Sequence, residues 1–177
     1  MPFTPFHMGP GLAVKAVGRR RFSLMVFGFS QVAIDVEPLV RIIRGDAVLH
    51  GFTHTYLGAT FVALASVVIG RPICQALLRG WTLEPPSAFL GWVTGTPRIS
   101  WPTATGSALV GTYSHVALDS LLHADMRPLA PFSETNALLH AVSLGALHLG
   151  CVLSGLLGVL VLAAAFARQR ARASRSS

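Results

Sequence analysis

Four apolar runs, at residues 22–44, 50–70, 104–122 and 138–167, constrain this chain more than any other feature. The last is long enough to cross a hydrocarbon core of ~30 Å with some tilt. The expected fold is therefore all-α, a polytopic membrane helical bundle of about four spanning helices. Composition points the same way. Hydrophobic residues make up 52% of the 177 and charged residues only 12%, against about 25% charged in an average soluble domain. Mean hydropathy is +0.58. Residues 1–167 read as a single membrane-embedded domain, and 168–177 (RQRARASRSS) as a frayed basic tail suited to anionic lipid.

Charge sets the orientation. With Lys15, Arg19, Arg20 and Arg21 placed inside and four spans threaded, only Arg41, Arg44 and Arg127 of the 14 Lys and Arg fall outside. That skew is what the positive-inside rule asks for, and it puts both termini on the cytoplasmic side of a cell or inner membrane. The net charge of +7 sits on arginines flanking apolar runs, a membrane pattern rather than a nucleic-acid footprint. No basic residue precedes the first apolar stretch, which is the wrong order for a cleaved signal peptide. Cys74 and Cys151 lie in or beside apolar segments, form no CxxC pair, and read as packing residues.

Two segments fall outside the spans. Residues 3–18 are too short to cross, since a helix over 8–18 rises only ~16 Å. If the chain reverses at Arg19–Arg21, this becomes a short re-entrant helix that sets His7 level with about Ala33 to Asp35. Residues 71–103, with Trp81, Trp92 and Trp101, read as a cytoplasmic-side loop carrying an amphipathic interfacial piece.

Ionisable groups inside the apolar chain then point to function. Insertion of each costs roughly 2.5–3.5 kcal/mol, so such residues are functional candidates. Asp35 and Glu37 fall near the outer end of the first run, His50 and His54 at the outer start of the second. His115, Asp119, His123 and Asp125 lead to the outer end of the third. Only Glu84 of the seven acidic residues lies on the inner half. Histidine and carboxylate suit a divalent metal: zinc first, then manganese or iron. His50 and His54 stand at i and i+4, sharing a face if helical; His115, Asp119 and His123 continue at that step. Pro38 marks a helix end that lets Asp35 and Glu37 both turn inward. The expected metal ligands are His7, Asp35, His50, His54, His115, Asp119 and His123, with Glu37 or Asp125 as general base. His140 and His148 read as packing residues, and Asp46 and Glu134 as solvated.

The segments AIDVEP (33–38), HGFTHT (50–55) and YSHVALDSLLHADMRP (113–128) resemble the YdjM-like family of membrane-bound metal-dependent hydrolases. The resemblance covers about residues 3–135 and includes the histidine-bearing opening PFTPFH. It implies that Asp35, His50, His54, His115 and Asp119 occupy the family's metal-ligating positions. Glu37 stands where the family has a second Asp, Pro38 where it has a His, and Gly51 where it has an Arg. The stretch from His115 to His123 is also similar to the His-x-x-x-Asp pattern of helical zinc phosphoesterases of the phospholipase C type.

These residues lead to an integral membrane metal-dependent hydrolase acting on an ester or phosphoester of a lipid-borne substrate, with metal-activated water as nucleophile. Its partners are membrane lipid and a lipid-linked substrate, and nucleic acid is excluded. The competing classes are a metal-ion or proton transporter and a structural membrane protein with a bound metal. A transporter needs polar groups through the full depth, whereas the inner half of each run is nearly all apolar. The chain carries no Gly-x-Ser-x-Gly, Walker or dinucleotide motif to support other chemistry.

Overall fold

Ser23, Thr55, Ser87, Ser100 and Ser143 each accept a hydrogen bond from the backbone amide three residues on, and each opens a helix. The computed structural model describes residues 5–83 and 87–175, with side chains at 5 and 81–83 outside that description. Thr4, the Trp81 side chain, Glu84 and the last two residues of the tail therefore lie outside it. Among the described residues every regular element is helical. They are α1 (Met8–Gly18), α2 (Leu24–Ile34), α3 (Val36–Arg44), α4 (Tyr56–Ala65), α5 (Arg71–Leu83), α6 (Ala88–Thr94), α7 (Trp101–Ser120) and α8 (Leu144–Ala173).

The expected runs and the observed helices differ in instructive ways. Two helices are long and apolar enough to cross a membrane: Tyr56–Gly80, which joins α4 to α5, and Leu144–Ala173. The other two expected spans do not meet that test. The run 22–44 is split at Asp35 into two short helices. Pro38 has no N–H to return to the Ile34 carbonyl, and the Thr53 hydroxyl oxygen lies 3.0 Å from that carbonyl in its place. α7 is 20 residues long but interrupted by Thr, Ser, His and Asp.

The second run starts late and finishes late. Its helix begins at Tyr56 rather than at His50, and it continues through a widened π turn at Ser66–Gly70 into α5. That wide turn immediately precedes Pro72, whose ring and missing N–H an ordinary α turn would not accommodate. The expected loop over 71–103 is thus helical in α5 and α6. The last run is shifted too, and α8 carries Arg168, Arg170 and Arg172 on its final turns instead of ending before them.

Packing divides into two layers. α2, α4 and α7 enclose a core of Val26, Ala63, Val67, Ala104 and Ala108, capped at one end by Ile34, Ala59, Val116 and Met126. Against these lies the pair α1 and α8, which run parallel. A Cβ on Gly9 would strike the Cys151 carbonyl, one on Gly155 would sit 3.1 Å from the Gly9 Cα, and one on Gly158 would sit 2.6 Å from the Leu12 carbonyl carbon. Small residues thus let the two backbones touch, a packing mode used where lipid removes the hydrophobic drive. At the α1 turn, Lys15 Nζ donates 2.8 Å bonds to the carbonyls of Arg19 and Phe22, fixing the reversal into α2. The consequence is positional. The end of α2, the end of α7 and the starts of α1 and α4 meet at the same end of the bundle.

Candidate metal centre

Four side chains converge there. Asp35 sits at the α2–α3 break, His54 ends the short turn Phe52–His54 before α4, and His115 and Asp119 lie one turn apart on α7. They are 3%, 0%, 2% and 5% exposed. His115 Nε2 lies 3.2 Å from Asp35 Oδ1 and 3.1 Å from Asp119 Oδ2, and His54 Nε2 lies 3.6 Å from the same two oxygens. Donors held 2.0–2.2 Å from one ion in a tetrahedral array are separated by about 3.3–3.6 Å. The spacing of these four atoms fits a shared divalent ion.

The ring nitrogens carry the same message. Neither His54 Nε2 nor His115 Nε2 has a hydrogen-bond partner among the described residues, although both are buried. An orphaned buried polar atom demands an explanation, and lone pairs turned toward an ion supply one. The opposite nitrogens fix the tautomers. His115 Nδ1 lies 2.5 Å from Gln31 Oε1, whose amide nitrogen donates to the Gly111 carbonyl at 3.2 Å. Since Oε1 only accepts, Nδ1 carries the proton and Nε2 is left as a ligand atom. His54 Nδ1 lies 3.1 Å from Thr53 Oγ1. That hydroxyl has one proton, directed to the Ile34 carbonyl or to Glu37 Oε2, so it accepts from Nδ1–H. Outer hydrogen bonds of this kind orient ligating histidines. Two neutral imidazoles and two carboxylates then present a charge of −2 to a dication.

Local structure explains the placement. Thr55 caps α4 through the Gly58 amide at 2.9 Å and donates to the Phe52 carbonyl at 2.9 Å, so the preceding His54 belongs to the turn. Tyr56 N–H donates to the Pro128 carbonyl at 2.9 Å, tying this turn to the segment after α7. α2 and α7 approach closely because Gly111 has no Cβ to meet Ser30 Oγ. His7, 5% exposed, reaches the group from the start of α1, its Nε2 3.4 Å from Asp119 Oδ1. Its ring meets that of His115 edge-on at 4.7 Å.

The remaining candidates do something else. Glu37 accepts from Arg41 Nε and Nη2 at 3.0 and 2.8 Å and from the Phe52 and Thr53 amides at 3.1 and 2.7 Å, and its Oε2 lies 2.8 Å from the Thr53 hydroxyl oxygen. It clamps the turn that carries His54 and does not join Asp35 in the buried group. His50 is not helical, so the i, i+4 chelate with His54 does not form. The helical stripe on α7 likewise ends at Ser120, before His123. His50, His123 and Asp125 form a second, partly exposed group. There His50 Nδ1 lies 2.9 Å from Asp125 Oδ1, and the Leu49 and His50 amides donate to Asp125 Oδ2 at 2.9 and 3.1 Å. Burial opposes ionisation of Asp125, but those bonds and the His50 side chain hold its carboxyl down at about 2. Burial, then the neighbouring His50, pushes the His123 imidazole below its ordinary value, toward the neutral form a ligand requires. His148 stacks on Phe6 with ring centroids 4.5 Å apart, and Glu134 pairs with Arg127, both away from the two groups.

Gln31 and Thr53 are the functional side chains that sequence reasoning passes over. Gln31 had a signal, being the polar residue one turn before Asp35 inside an apolar run.

The whole chain, residues 1–177, matches one family, described as a domain of unknown function, DUF4184. The chain belongs to that family. No curated protein and no solved structure matches it. A functional reading therefore rests on the residues themselves.

Proposed function

We propose that the protein is an integral membrane metal-dependent hydrolase, acting on an ester or phosphoester of a lipid-borne substrate. The observation that carries the reading is the buried quartet of Asp35, His54, His115 and Asp119, with two unpartnered Nε2 atoms spaced to ligate one ion. A divalent ion bound there would lower the pKa of coordinated water to about 7 and so supply a nucleophile at neutral pH. Gln31 and Thr53 hold the imidazoles in their ligating tautomers, and Glu37 fixes the turn that positions His54. The likeness of the 33–38, 50–55 and 113–128 segments to the YdjM-like family supports the same class.

Membrane placement is supported by the two long apolar helices and by the aliphatic face that α8 leaves exposed, including Leu149, Leu153, Leu156, Leu157 and Leu160. We place α7 across the bilayer as well, with the 11-residue α2 reaching only part-way beside it and the C-terminal end of α8 cytoplasmic. The metal is zinc in this reading, with manganese or iron suited to the same donors.

A second reading has its own support. Four protein donors satisfy a tetrahedral ion, and structural zinc sites are closed in that way while catalytic ones keep a position open. The test is metal content and turnover measured together on the detergent-purified chain, with chromogenic carboxyl esters and phosphodiesters in mixed micelles. The hydrolase reading expects zinc- or manganese-dependent turnover that Asp119→Asn abolishes along with the bound ion. Tight binding and a metal-dependent melting temperature without turnover would leave the structural reading in its place.

A further inference from the structure

We propose that His50, His123 and Asp125 form a second divalent-cation site, separate from the buried quartet and partly exposed. One ligand atom from each of the three lies within 4.8 Å of the others. The rings of His50 and His123 are 4.3 Å apart and tilted by 33°. His50 Nδ1 and Asp125 Oδ1, at 2.9 Å, match the edge of an octahedron around an ion with bonds of 2.0–2.2 Å, which is about 2.8–3.1 Å. Three protein donors leave such an ion with vacant positions for water and substrate.

The fold holds these groups in place. Asp125 comes from beyond the end of α7 and is bonded through Oδ2 to the Leu49 and His50 amides, about 75 positions earlier in the chain. That arrangement orients the other oxygen toward the imidazole. An ion-free Asp125–His50 proton relay would use the same 2.9 Å contact, but it gives His123 nothing to do. The hydrogen bonds recorded for residue 123 among the described residues run through its backbone. A shared ion accounts for all three side chains.

The two groups are neighbours, since the rings of His50 and His54 are 4.8 Å apart. Dications held in the two groups would supply the positive charge that phosphoester-cleaving two-metal sites bring to the attacking and leaving oxygens. Charge narrows the substrate further. Asp35 and Asp119 balance a dication in the buried site, whereas Asp125 alone leaves one positive charge uncompensated in the outer one. A phosphoryl oxygen supplies the missing anion and a neutral carboxyl ester does not. This substrate assignment rests on the hydrolase reading; the second ion does not.

The experiment is equilibrium dialysis of the full chain in detergent against zinc, with metal per chain measured by elemental analysis. Two zinc ions are expected, one tight and one weaker. His123→Ala should lose the weaker ion and keep the tight one, which also reports that the variant is folded. Removing a mere orienting partner costs about 10–100-fold in affinity, so losing a ligand should cost at least 100-fold at the outer site. Asp119→Asn should remove the tight ion. One ion in the native chain, lost with Asp119→Asn and untouched by His123→Ala, overturns the second site while the buried centre stands. Two ions retained in both His123→Ala and Asp125→Asn would overturn it equally. An absence of bound zinc in the native chain would sink both proposals.

Discussion

Replacing Gln31 with leucine changes little in volume but removes the acceptor of His115 Nδ1, at 2.5 Å in a site where Gln31 is 6% exposed and His115 2%. Two consequences follow from that geometry. An Nδ1–H left unpartnered in the interior costs about 1–3 kcal/mol of stability. The imidazole can also shed that proton from Nδ1 and hold one on Nε2, which takes the lone pair away from the ion. Loss of an orienting partner of this kind lowers metal affinity about 10–100-fold, or about 1.4–2.8 kcal/mol. Gln31→Glu keeps an acceptor for Nδ1–H but turns its second oxygen toward the Gly111 carbonyl, to which the native amide nitrogen donates, so it should recover part of the zinc affinity that leucine loses. The assay is competition for zinc against a chelating dye in detergent, paired with melting with and without zinc. Binding to the folded state adds RT ln(1 + [L]/Kd) to stability, so the leucine variant should show a smaller zinc-induced rise in melting temperature. A folded leucine variant that binds zinc as tightly as the native chain refutes the assigned tautomer, and with it the role of Gln31.

The same logic extends to the turn that carries His54. Thr53→Val removes the hydroxyl that links His54 Nδ1 to Glu37 and to the Ile34 carbonyl; zinc affinity should fall about 10-fold or more, with Thr53→Ser restoring most of it in the same dye competition. Gly158→Ala puts a Cβ 2.6–2.7 Å from the Leu12–Ala13 backbone; overpacking of this sort costs about 1–3 kcal/mol, read as a lower melting temperature with metal saturating. A single cysteine at Arg175, in a chain with Cys74 and Cys151 replaced by Ala, should resist a membrane-impermeant thiol reagent in intact cells and react after lysis. Ready labelling before lysis would reverse the orientation.

Much of the centre was legible because its carboxylates and imidazoles are chemically conspicuous in an apolar chain. Asp35, His54, His115 and Asp119 all stood out, and the helical step from 115 to 119 survives in α7. The neighbouring step from His50 to His54 fails for a reason the sequence contained. Thr55, followed by YLGATFVALA, is the capping residue, so the helix starts after His54 and not at His50. Pro38 indicated a break without locating it; the cut falls at Asp35, because the carbonyl a proline deprives lies four residues back. The helix also runs on past Pro72 into the stretch expected as a loop, since the wide turn at Ser66–Gly70 lets it pass through. The division of the candidates into two groups was not legible at all. It depends on Asp125 folding back onto residues 49 and 50 after α7 ends, a tertiary contact with no local signature.

The distribution of polar groups also bears on transport as the competing activity. From the partly exposed Asp125, His123 and His50, imidazoles follow one another inward through His54 and His115 to His7. Beyond that level the interior between α2, α4 and α7 holds Val26, Ala63, Ala104 and Ala108, each no more than 2% exposed, and the buried Ser30, Ser66 and Ser107, whose hydroxyls bond to backbone groups. Lys15, the buried cation on α1, spends its recorded hydrogen bonds on two backbone carbonyls that close a turn. A relay needs titratable or solvated groups on both sides of its binding site. Here the described residues provide them on one side only. An ion or proton that enters from the partly exposed group meets hydroxyls and methyl groups beneath His115, but no further carboxylate or imidazole between α2, α4 and α7 among the described residues. On the proposed reading that one-sided distribution suits hydrolysis, since a substrate and its products can share one entrance whereas a transported ion needs two.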